Sequence, residues 1–140
     1  ELRILTRERV AKSDVMSIEE AEKVRNDSSG LRNLPFSKFE INFAEKESER
    51  FKGYIERLCR ANDSGVYIWT EKSNHCGLYK AKGLSQIYWG FPFDINDEGV
   101  LAFLCDDLQD EILLDFSRDL SGVLTLSVEC QGSSWPDIKY

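Results

Sequence analysis

Histidine, proline and methionine are scarce in this 140-residue chain: one His, three Pro, one Met. The single His75 leaves little for a catalytic triad. No G-x-S-x-G segment accompanies it, so nucleophilic hydrolysis has no assembled motif. The four cysteines, Cys59, Cys76, Cys105 and Cys130, never fall in a C-x-x-C pair, the spacing that structural zinc sites usually show. They permit three disulfide pairings, among which sequence cannot choose. Cys59, Cys105 and Cys130 lie in apolar surroundings and read as small buried thiols of a reducing cytoplasm. The longest apolar run is "VLAFLC", Val100 to Cys105, against about 18 residues for a membrane-spanning helix. P-loop, G-x-G-x-x-G and H-E-x-x-H motifs are missing. The start, "ELRILTRERV", lacks the layout of a signal peptide. It begins at Glu1, so removal of a start residue, tag or leader is expected.

Charge is plentiful and uneven. The formal net charge is −7. Residues 1–70 are balanced, whereas residues 71–140 hold 12 acidic and 5 basic residues. Within residues 94–119, nine acids face one base, Arg118. Clustering on this scale costs stability through self-repulsion and exceeds what solubility requires. Such a surface repels nucleic acid and anionic lipid and attracts cationic proteins or metal ions. The plainer reading is that Asp fills hairpin turns. "DINDEG" offers Asp94, Asn96 and Glu98 at alternate positions, but its glycine is misplaced for an EF-hand. Basic residues in the first half alternate with acids and form no stripe for DNA or RNA.

Length and composition predict one domain over residues 1–140. "LRILTRERV" alternates imperfectly and suggests a first strand, Leu2 to Val10. Ser17 with Glu20 forms a capping box for a helix ending near Asn26. "KFEINFA" alternates Phe39, Ile41 and Phe43 as a short strand. Phe51, Tyr54, Ile55 and Leu58 follow at helical spacing, and Gly53 there suggests close packing on a sheet. After Gly65 the period shortens. "VYIWT", "LYKAK", "QIYWGF", "VLAFLC", "EILLDF" and "VLTLSVE" read as strands of an antiparallel meander. The predicted class is α+β: N-terminal helices packed on one face of a mostly antiparallel sheet of about six strands.

The aromatic "QIYWGFPF" leads directly into the acidic block. An aromatic ringed by acids has the make-up of a binding hot spot. The segment "FPFDINDEGVLAFLCDDLQDEILLDFSRD" and its aromatic lead-in resemble, in overall character, the immunity proteins of bacterial toxin systems. These include the colicin type and the type of contact-dependent growth inhibition. The resemblance implies a cytoplasmic protein that binds a cognate, usually basic, nuclease toxin and covers its active site or substrate groove, with no cofactor and no turnover. Independently, a nuclease must hold phosphates, so its cleft is basic and carboxylates can occupy it. The expected contact is Asp94, Asp97, Glu98, Asp106, Asp107, Asp110 and Glu111 on one acidic plateau, with Trp89 as anchor and Asp115 in a second row. The same residues would serve a phage-encoded nucleic-acid mimic that inhibits a host nuclease.

Overall fold

The computed structural model describes residues 1–140 and sets four helices about one six-stranded antiparallel sheet. The helices are α1 (Leu2–Thr6), α2 (Ile18–Asp27), α3 (Glu49–Ala61) and the single turn α4 (Ser73–Cys76). The strands are β1 (Phe36–Asn42), β2 (Val66–Trp69), β3 (Tyr79–Ala81), β4 (Val100–Cys105), β5 (Asp110–Arg118) and β6 (Leu124–Gly132), in spatial order β1-β6-β5-β4-β2-β3. Strands β4, β5 and β6 form a meander. The chain returns β1 to one edge, and the β2–β3 hairpin closes the other.

The central helix forms where its stripe predicts. The Ser48 hydroxyl accepts the Phe51 amide at 3.1 Å to start α3, and Phe51, Tyr54, Ile55 and Leu58 are buried along one face. They pack on Ile68, Phe103, Leu114 and Val128, which alternate out of the same side of the sheet. Rings of Phe43, Phe91, Phe93 and Phe116 extend this core. Gly53 makes no close approach to the sheet: a Cβ there would meet only the Arg57 guanidinium, at 3.8 Å. The expected reason for that glycine is therefore wrong.

Three further expectations need correction. The N-terminal segment is helical, because Leu2 and Leu5 recur at helical spacing to reach one core; Arg7, at φ 54°, ends the turn. "QIYWGF" is not a strand. Ile87, Trp89 and Phe91 do alternate inward, but the segment has no ladder partner, and its Tyr88 amide donates to the Leu5 carbonyl at 2.6 Å. Alternation reports which way side chains face, and pairing is a separate matter. Finally, the helices do not share one face. Helix α2, begun by the Ser17–Glu20 capping box, sets Ala21 and Val24 in a second cluster with Leu78 and Leu104, on the opposite side of the sheet. Strand β4 is buried on both faces in consequence, which explains its unbroken apolar run. Beyond α2 and the turn Ser29–Asn33, whose Leu31 joins that cluster and whose next residue, Leu34, accepts the Gln131 side-chain amide at 3.3 Å, no helix covers that side of the sheet.

Candidate partner-binding surface

The acidic residues separate into two groups at opposite ends of β4. Asp94, Asp97 and Glu98 precede its first residue, Val100, while Asp106 and Asp107 follow its last, Cys105. At about 3.4 Å per residue the two groups lie roughly 20 Å apart. The single plateau expected from sequence is thus two patches, because a hairpin strand carries its two flanking loops to opposite edges.

The first patch is held firmly. The Glu71 carboxylate, in the loop after β2, accepts the Asp97 and Glu98 amides at 3.1 and 3.2 Å. The Asn96 side chain accepts the Gly99 amide at 2.8 Å and donates to the Val100 carbonyl at 3.0 Å. Gly99, at φ 68°, lets the backbone turn against the Phe116 carbonyl, where a Cβ would come within 2.3 Å. These bonds consume Asn96 and Glu71 and leave Asp94, Asp97 and Glu98 exposed. Exposed Asp115 pairs with Val100 at the same end of the sheet. Glu1 reaches this loop through Asn96, at 3.4 Å. Glu1 and Glu71 had no signal in the sequence: each is a lone acid, far along the chain from the acidic block.

The second patch is largely spent on the fold. Asp106 pairs with Lys80 at 2.8 Å. Exposed Asp107 accepts the Gln109 amide of its own turn and the Asn62 amide group, both at 3.0 Å. Asp110 is fully buried. It accepts Asn62 Nδ2 at 2.7 Å and the Ser134 amide at 2.9 Å, beside Trp135, whose indole donates to the Leu58 carbonyl at 3.1 Å. It therefore ties the C-terminal tail to the end of α3 and offers no surface contact. Glu111 lies half-buried on the open side of the sheet, and burial holds its carboxyl above the usual range.

Trp89 also departs from expectation. It is 9% exposed, with its ring 5.5 Å from those of Phe51 and Phe103. It floors a groove of about 420 Å³ between α3 and residues 85–89, lined also by Ile55, Cys59 and Ile87. It is a core residue and does not project as an anchor. His75 and Cys76 are exposed on α4. All four cysteines are free thiols, and burial pushes Cys105 to about 12 and Cys130 to about 11. No helix is long and apolar enough to cross a membrane. No protein-family model matches the chain, and no curated protein or solved structure matches it.

Proposed function

We propose that the chain is a non-catalytic binding protein of the toxin-immunity kind: it docks a basic nuclease toxin in the bacterial cytoplasm and covers its active site or substrate groove. The observation that carries this reading is the pinned loop before β4. Glu71 and Asn96 fix its backbone while Asp94, Asp97 and Glu98 point their charge to solvent. Carboxylates held in place before contact lose little entropy on binding. Opposite charge can raise association rates toward 10⁸–10⁹ M⁻¹s⁻¹ at low salt, an advantage when free toxin is lethal. The charge of residues 71–140 repels nucleic acid and anionic membranes and favours a cationic protein as partner. The reduced, protonated thiols of Cys105 and Cys130 suit the cytoplasm.

The contact set is Asp94, Asp97 and Glu98, with Glu71 as its support and Asp115 as its flank; exposed Asp107 is a second, weaker element. Co-expression with the toxin encoded beside its gene tests the reading. A one-to-one complex and restored growth are expected. With Asp94→Lys and Asp97→Lys together, protection should fall sharply at equal protein level. A neighbouring toxin that neither binds the chain nor is neutralised by it would overturn the proposal.

A further inference from the structure

Strand β1 ends the sheet and pairs only with β6. The Gly132 amide donates to the Pro35 carbonyl at 3.0 Å, and these residues are opposite each other when the β1–β6 register is extended by one. That bond fixes the alternation. Odd-numbered residues of β1 exchange hydrogen bonds with β6, and Phe36, Lys38, Glu40 and Asn42 aim their backbone N–H and C=O groups away from the sheet. The Asn42 amide agrees, being taken by the Glu45 carboxylate at 3.4 Å. Phe36, Lys38 and Glu40 are exposed, Phe36 to 57%. The strand has no proline or bulge to blunt it.

We propose that β1 pairs antiparallel with β1 of a second copy, about a two-fold axis at Phe39, joining two six-stranded sheets into one. The sequence of the strand is self-complementary in this register alone. Only even-numbered residues can exchange the outward bonds, so registers differ by steps of two. The register that overlaps the whole strand centres on Phe39 and sets Lys38 opposite Glu40 of the second copy, twice. A slip by one step sets Lys38 against Lys38, or Glu40 against Glu40, and like charges directly opposite are destabilising. A single lysine would merely protect an edge; the Lys-x-Glu arrangement rejects slipped pairings and matches one. Lys38 is already steered by Glu129, at 2.7 Å, which extends the alternation of charge across three strands. At the axis, Phe39 lies half-buried on the α3 side and stacks on Tyr140 at 4.4 Å. The two-fold brings two such stacks together as an aromatic cross-strand pair. The inference does not depend on the toxin reading, because it uses the opposite end of the sheet order from β2 and β3 and none of the loop carboxylates.

Sedimentation equilibrium of the full chain tests it. The wild type should sediment at twice the 16.1 kDa chain mass. Lys38→Glu and Glu40→Lys each turn two attractive pairs into two repulsive ones and should each weaken dimerisation on the order of tenfold or more. Mixing these two variants restores both attractive pairs between the copies, so the mixture should dimerise at least tenfold more tightly than either variant alone. Glu40→Pro should fold, since its N–H serves no bond within the chain, yet remain monomeric. A wild type that stays monomeric up to millimolar concentration, or a mixture no better than its components, overturns the proposal.

Discussion

Replacing Asp110 by alanine separates the structural carboxylate from the binding ones. In the fold Asp110 is sealed from solvent and accepts two hydrogen bonds, from Asn62 at 2.7 Å and from the Ser134 amide at 2.9 Å. A hydrogen bond to a charged group contributes about 1.5–3 kcal/mol, and Asp110→Ala removes two of them. The expected cost is therefore about 3–6 kcal/mol, a large share of the roughly 5–15 kcal/mol that holds a domain of this kind together. With a urea slope of about 2 kcal/mol per molar, the unfolding midpoint should drop by about 2 M. Asp107→Ala is the control. It removes an exposed turn carboxylate and should stay within about 1 kcal/mol. Asn62→Ala and the double variant complete a cycle, and the pair should couple by about 1–3 kcal/mol. If Asp110→Ala lost less than about 1 kcal/mol and weakened partner binding instead, the structural assignment of this residue would fail.

Other substitutions probe separate parts of the account. Gly53→Ala should stabilise the protein by about 0.5–1 kcal/mol in thermal unfolding, because nothing but a mobile guanidinium approaches the new methyl group. Gly132→Ala should do the reverse and cost several degrees in Tm, since a Cβ would lie 2.0 Å from Asp110 Oδ1 and 2.6 Å from the Gln109 carbonyl. Lys46 is 1% exposed against the rings of Phe43 and Phe91, and burial lowers its pKa below the ordinary 10.5. The unfolded chain therefore holds that proton to higher pH, and stability should rise as pH climbs from the lowered value toward 10.5. Lys46→Met should flatten this slope and raise stability at neutral pH, read by urea titration. Glu111 has the opposite sign: its raised value makes stability fall as pH climbs from 4.5 through that value, and Glu111→Gln should remove the fall.

Features specified by near neighbours in the chain were legible in its sequence. The Ser17–Glu20 box, the Phe51–Leu58 stripe, the unbroken apolar run of β4 and the alternation of β5 and β6 are each local patterns, and each element formed where its pattern places it. Features decided by distant partners were not. Ile87, Trp89 and Phe91 alternate as a strand would, but whether a neighbouring strand lies alongside depends on where α1 and α3 pack. The acidic block looked continuous because Asp94 and Asp110 are close along the chain, while the length of β4 divides them in space. Nor does any local pattern distinguish Asp110, buried on Asn62, from Asp107, exposed three residues earlier. Glu71 joins the loop before β4 only through the β2–β4 pairing.

The central claim is that the exposed carboxylates before β4 guide a basic protein into place. The most direct measurement is the association rate with the toxin encoded beside the gene, followed by stopped flow across a range of ionic strength. The rate should fall steeply with salt for the wild type, and Asp94→Lys with Asp97→Lys should lower it at least tenfold at low salt while flattening that dependence. Equal rates and equal salt slopes for the two proteins would place the contact elsewhere on the molecule.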